Sequence, residues 1–272
     1  MFARAYQFCM GNSRMTNLFL ARSLCYLASV MSDPAKRAPA DRVYARAPER
    51  QAGARAVRPK DAASLVVIRK ARGKPEILMG RRHKKTRFMP DAFVFPGGRL
   101  DAADARAQPA SHLPRSVEKH LLRSATPARA RALAMTAVRE TFEETGLLLG
   151  VEGSVGGTRD EGWAAVRDTG LAPDLARLDY VGRAITRAAS PIRFDARFFL
   201  ADAGDFVGEL GGSGELLDLA FVPLDDAREL PSAMITQFML SEVARLAEAT
   251  PAQRAKRAEY RWRGGERVVR YV

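Results

Sequence analysis

The chain has 272 residues, 47% hydrophobic and 28% charged, a balance that excludes a fibrous or wholly disordered protein and allows one sizeable domain or two small ones. Its net charge of +13 is uneven: residues 1–60 hold eleven Lys/Arg and three Asp/Glu, a net +8, which leaves 13 − 8 = +5 for residues 61–272 and argues against a fold-wide nucleic-acid surface. Cys9 and Cys25 are the only cysteines and His83, His112 and His120 are scattered, so no disulfide framework, zinc site or thiol nucleophile is expected.

In chain order, an apolar patch from Leu18 to Met31, broken by Arg22, is shorter than the ~20 residues of a spanning helix. It has no small-residue cleavage site after it. It reads as a loose extension or an upstream start, with Met31 as an alternative beginning, rather than as a targeting segment. The Ala-, Arg- and Pro-rich stretch from Ser32 to Lys60 reads as a disordered arm. Residues 1–60 are thus expected to be an extension and 61–272 the folded domain of a cytoplasmic protein.

Leu65-Val66-Val67-Ile68 predicts a strand, Ala71 to Pro75 a turn, and Ile77-Leu78-Met79 its partner. Ala92 to Phe95 predicts a third strand, stopped by Pro96-Gly97-Gly98. A short helix is expected around Val117–Leu122 in a polar stretch. A long helix follows, with Thr126 as N-cap, Pro127 in its first turn and Gly146 just past its end. Tyr180–Ile185, Ala196–Leu200, Leu216–Val222 and Arg267–Val272 predict further strands, and Ala233–Ala249 an amphipathic helix. Strands interleaved with helices and hairpins imply α/β architecture with a mixed sheet flanked by helices.

The long helix carries the chemistry. Glu140, Glu143 and Glu144 stand at i, i+3 and i+4, so they project from one face, where like charges repel. They also sit near the helix C-terminus, the end that disfavours anions. Mg²⁺ or Mn²⁺ offsets such a cluster, because hard cations prefer carboxylate oxygens and bridge to phosphates. Val138 and Phe142 form an apolar stripe for docking on the sheet, and Arg139 can hold a carboxylate by a bidentate pair. The turn Phe95-Pro96-Gly97-Gly98 lets backbone approach the site closely. Arg81, Arg82, Arg87 and Arg99 surround that turn as a cationic set suited to phosphates.

The string Arg139-Glu140-Thr141-Phe142-Glu143-Glu144-Thr145-Gly146-Leu147 resembles the second half of the Nudix hydrolase box, with Thr141 in an apolar slot. Gly98 supplies the opening position, and Asp104 stands where the family has Glu. From Asp104 to Arg139 there are 34 intervening residues where the family has seven, so residues 105–131 read as an insertion within the box, either a lid or wall or a passive decoration.

The resemblance implies a Nudix-type α/β/α sandwich and a metal-dependent pyrophosphohydrolase using Mg²⁺ or Mn²⁺. Glu140 and Glu144 are then the expected metal ligands, Glu143 a third ligand or the base, and Arg139 a catalytic partner. Glu215 is the candidate carboxylate from outside the box. Leu78, Arg82, Arg87 and Phe95-Pro96-Gly97-Gly98 resemble the coenzyme A-directed subgroup, while Met79, Gly80, His83 and Asp91 depart from it. Ile192–Leu200 is similar to its acyl-CoA branch. Arg82, Arg87, Gly97, Gly98, Arg99 and Asp104 are accordingly expected to bind substrate. The implied partner is a CoA-type nucleotide, with no nucleic acid and possibly a second copy of the chain. ADP-ribose, NADH, dinucleoside polyphosphates and a non-catalytic ligand- or RNA-binding module are the alternatives.

Overall fold

A computed structural model describes residues 57–71, 73–86, 89–157 and 160–272. Residues 1–56, which include most of the expected arm and both cysteines, lie outside the described residues, as does Arg87. No helix among the described residues is long and apolar enough to cross a membrane.

The described residues form a nine-stranded mixed sheet with strands β1 (Lys60–Ala71), β2 (Lys74–Arg82), β3 (Phe93–Val94), β4 (Gly97–Arg99), β7 (Asp179–Ile185), β8 (Phe194–Asp202), β9 (Leu216–Pro223), β10 (Ala258–Arg263) and β11 (Glu266–Tyr271). Its main path runs β11-β10-β7-β8-β1-β2-β3, with β4 on β1 and β9 on β2. β1 pairs parallel with β8 and β10 parallel with β7; the other pairings are antiparallel. A separate hairpin-like pair joins β5 (Gly150–Glu152) and β6 (Leu171–Pro173).

Helices cover both faces, which is why β1 is an unbroken apolar run rather than an alternating one. Ala63, Leu65 and Val67 point to one core, shared with Leu133, Val138 and Trp163; Val66 points to the other, shared with Met239, Leu240 and Val243. The first core belongs to helices α1 (Arg115–Leu121), α2 (Pro127–Thr145) and α3 (Glu161–Asp168). The second lies under α4 (Leu224–Ala227) and α5 (Met234–Glu248), and α6 (Pro251–Arg254) follows near the chain end. This is the sandwich expected.

Helix α2 obeys its punctuation. The Thr126 hydroxyl accepts from the Arg129 N–H at 3.3 Å, Pro127 opens the helix, and Gly146 closes it at φ 75°. The third strand, β3, stops before Pro96 as expected, and Gly97 and Gly98 then form with Arg99 a further strand, β4, antiparallel to Ala62–Ser64. Side-chain-free backbone lets this strand lie against β1 where a Cβ on Gly97 would strike the Ala63 carbonyl. The insertion between Asp104 and Arg139 is built into the fold: Ala107, Val117 and Leu121 are buried in the first core. Sequence reading missed β10, the β5–β6 pair and α3.

Candidate active site

Helix α2, strands β1 and β4 and the N-cap of helix α3 converge on a cavity of about 680 Å³ lined by Lys60, Arg99, Arg139, Glu140, Glu143 and Asp160, among others. Glu144 lies behind this wall, 5% exposed, and its Oε2 accepts the Gly97 N–H at 2.8 Å. The next residue has no side chain for a steric reason: a Cβ on Gly98 would collide with the Glu140 carboxylate. The Gly-Gly strand is therefore shaped around two of the three glutamates.

Arg139 ties the cluster together. Its Nε and NH2 donate to Asp104 at 2.7 and 3.1 Å, its NH1 donates to Glu143 at 3.2 Å, and its NH2 lies 3.0 Å from Glu140. Burial alone would lower the Arg139 pKa; the hydrogen bond to Asp104 and the charges of Glu140, Asp104 and Glu143 outweigh it, so the guanidinium stays charged.

Asp104, expected to meet substrate, is turned into the core beside Arg139. Its side chain is 0% exposed, with Oδ1 accepting from Arg139 and the Trp163 indole N–H (2.9 Å) and Oδ2 from Arg139, the Thr136 hydroxyl (2.7 Å) and the Asp101 N–H (2.9 Å). A carboxylate so saturated has no lone pair to spare for a ligand. Asp104 anchors Arg139 across the insertion.

The glutamates are held under electrostatic tension. Burial raises the Glu140 pKa to about 7; the Arg139 charge opposes this and Glu143 adds to it. Burial likewise raises Glu144 to about 8, against the Gly97 hydrogen bond and Arg82, with Glu140 and Glu215 reinforcing the rise. Arg82 and Glu215 are thus both close enough to act on Glu144, although Glu215 itself is exposed. The loop before Glu215 is fastened to the end of α2: the Gly211 N–H donates to the Thr145 carbonyl at 2.9 Å and the Ser213 N–H to the Glu143 carbonyl at 3.0 Å. These bonds satisfy carbonyls that a helix end leaves open.

The cationic set around the turn divides. Arg99 is exposed on β4 at the cavity, and Arg82 lies near Glu144. Arg81 is committed elsewhere, donating to Asp218 and Asp91 at 2.7 Å each, which removes it from the expected set. Asp91 has φ 58°, a conformation that glycine adopts without strain, and its carboxylate accepts the Arg81 bond. Lys60, Asp61 and Asp160 line the cavity and were missed. Lys60 stands where the charged arm turns into β1, so its charge read as part of the arm.

The residues fit a divalent cation by chemistry. Three carboxylates share one helix end, two with pKa values raised by burial, and a positive ion there would reverse that rise. Among the described residues no three His, Cys, Asp or Glu side chains already converge as ligands. Arg139 holds Glu143, and Gly97 holds Glu144.

No family model matches the chain, and no curated protein is similar enough to match. Solved structures do match. The crystal structure of a Nudix hydrolase from Alicyclobacillus acidocaldarius is 32% identical, covers 69% of this chain and 92% of its own, and superposes with a TM-score of 0.52. An Ap4A hydrolase from C. elegans (16% identity, 69% of this chain, 97% of its own, TM-score 0.38) is too distant to carry an argument. The same holds for the Nudix domain of NrtR from Shewanella oneidensis, complexed with ADP ribose (11%, 70%, 90%, 0.42). The fold and the carboxylate-bearing helix define a hydrolase of the Nudix class. At that identity and coverage, the chain belongs to the Nudix hydrolase family. Its members generally use divalent metal ions.

Proposed function

We propose that the protein is a metal-dependent pyrophosphohydrolase that cleaves coenzyme A or acyl-CoA to 3′,5′-ADP and (acyl-)4′-phosphopantetheine. One observation carries the reaction type: Glu140 and Glu143 share a cavity with Lys60 and Arg99, so anionic donors for a cation and cations for phosphate face the same space. The CoA preference is supported by the spacing of Leu78, Arg82, Arg87 and Phe95-Pro96-Gly97-Gly98.

Glu140 and Glu144 would hold Mg²⁺ or Mn²⁺, with Glu215 as a further donor. The bound ion supplies charge neutralisation on the phosphoryl oxygens and acidifies water. Lys60, Arg82 and Arg99 receive the phosphates and fix their orientation. Gly97 and Gly98 keep side chains out of the path between substrate and glutamates. Glu143, the cavity glutamate that Arg139 steadies, takes the proton of the attacking water. In the balanced step, one water adds across the P–O–P link: its oxygen joins one phosphorus, the bridging P–O bond breaks, and the departing phosphate keeps the bridging oxygen.

The test is a substrate panel with Mg²⁺ or Mn²⁺. Release of 3′,5′-ADP from CoA is the expected result. Cleavage of ADP-ribose, NADH or a dinucleoside polyphosphate without cleavage of CoA overturns the substrate, and no cleavage of any nucleotide overturns the reaction.

A further inference from the structure

Helix α3 touches the catalytic cluster at two adjacent residues, and neither belongs to the Nudix box. Trp163 is 0% exposed, and its indole N–H donates to Asp104 Oδ1 at 2.9 Å, beside the Arg139 Nε that donates to the same oxygen at 2.7 Å. Gly162, one residue earlier, faces Glu143 so closely that a Cβ there would collide with Glu143 Oε1; it would also come within 3.1 Å of the Arg139 Cδ. The helix is set in place by Asp160, whose side chain accepts from the Trp163 N–H at 3.2 Å, and by Val166, also fully buried.

These contacts fall on one chain of bonds. Trp163 fixes Asp104, Asp104 holds Arg139 by two bonds, and Arg139 donates to both oxygens of Glu143 at 3.2 Å. Gly162 closes the chain sterically from the other side. Glu143 is thus held between a guanidinium that attracts it and a helix that leaves room for it only because position 162 lacks a side chain. A core tryptophan needs a partner for its N–H, but any carbonyl would serve. The partner here is the buried carboxylate that takes two bonds from Arg139.

We propose that helix α3 is a positioning element for the reaction, with Trp163 fixing the Asp104–Arg139 pair and Gly162 setting where the Glu143 carboxylate lies. This rests on the pyrophosphohydrolase reading, because it assigns Glu143 a position that matters for turnover. Neither residue touches substrate; both act through Arg139 and Glu143.

Gly162→Ala is the sharpest test. The backbone at Gly162 is not in a left-handed conformation and alanine favours a helix, so the fold accepts the change; the far end of Glu143 is what must give way. Displacement of a catalytic group by about an ångström costs on the order of 100-fold. The expected result in the full chain is a kcat about 100-fold lower, a KM near the wild-type value and an undiminished Tm. Trp163→Phe, which keeps the ring bulk and removes the N–H, should lower kcat by about 10-fold, as loss of a supporting hydrogen bond does.

The second readout is the Arg139 Nε–H resonance, assigned by its loss in Arg139→Lys. It should move in both variants. Wild-type kcat in Gly162→Ala, or an unmoved Arg139 resonance in both variants, overturns the proposal. If the wild-type protein hydrolyses no nucleotide, the functional reading fails separately, and the resonance still decides whether α3 sets the cluster.

Discussion

The two ends of helix α2 meet two clusters of buried charge with opposite balances. At the first turn, Arg129 pairs with Asp61, while Arg197 and Arg183 meet Asp195 at 2.6 Å each. Burial alone would raise the Asp195 pKa, but its bond to Arg183 and the charges of Arg197 and Arg183 outweigh that and lower it. At the last turns, Arg139 alone contacts Asp104, Glu140 and Glu143, with Glu144 just beyond. There Glu140 and Glu144 rise to about 7 and about 8 instead. The first cluster has enough cations for its carboxylates, with Arg129, Arg183 and Arg197 set against Asp61 and Asp195. The second has fewer cations than carboxylates. A surplus of buried carboxylate, more than the presence of buried charge, separates a site from a strut.

The comparison can be broken at several points. The largest effect is expected from Glu144→Gln, which should cut turnover by about 1,000-fold while leaving the protein folded, by the scale of lost electrostatic stabilisation. Steady-state hydrolysis beside a thermal melt checks it, and a fully active Gln variant removes the glutamates from catalysis. Arg139→Met leaves Asp104 buried without its main partner and should cost about 3–5 kcal/mol in urea unfolding.

A third prediction concerns pH. The folded-state values of Glu140 and Glu144 lie above the ordinary 4.5, so between about 4.5 and 8 the folded protein binds more protons than the unfolded chain. Their contribution to stability is full below 4.5 and is lost as pH rises through about 8. With a chelator, Tm should therefore drift down over that window on account of these groups, and saturating Mg²⁺ should flatten the drift. A slope identical with and without metal would show that the ion does not bind at these glutamates. The smallest effect is expected at the first cluster: the Arg129 side chain is 48% exposed, so Arg129→Ala should cost at most about 1 kcal/mol and leave kcat unchanged.

Legibility in the sequence followed the range of the interaction. Helix α2 was readable end to end because Thr126, Pro127 and Gly146 act within a turn of their own positions. β1 and β2 were readable because both faces of the sheet are covered and the apolar runs are continuous. Helix α3 was not: its eight residues show only Trp163 and Val166 as an apolar stripe, too short to tell a helix from a turn. The glutamates could be grouped on one helix face from their spacing, yet nothing local to Asp104 announces a partner 59 residues away in Trp163. Arg81 looked like a phosphate ligand because its carboxylates, Asp91 and Asp218, come from a tight turn and from a distant strand.

The bonds from Gly211 and Ser213 to the end of α2 have a consequence for the order of assembly. Synthesis delivers the glutamates more than sixty residues before the loop that completes their turn of helix. A nascent chain that ends soon after Glu144 lacks the N–H donors that the Thr145 and Glu143 carbonyls accept in the folded protein. A chain cut short before residue 211 would carry the motif without a finished helix end to support it.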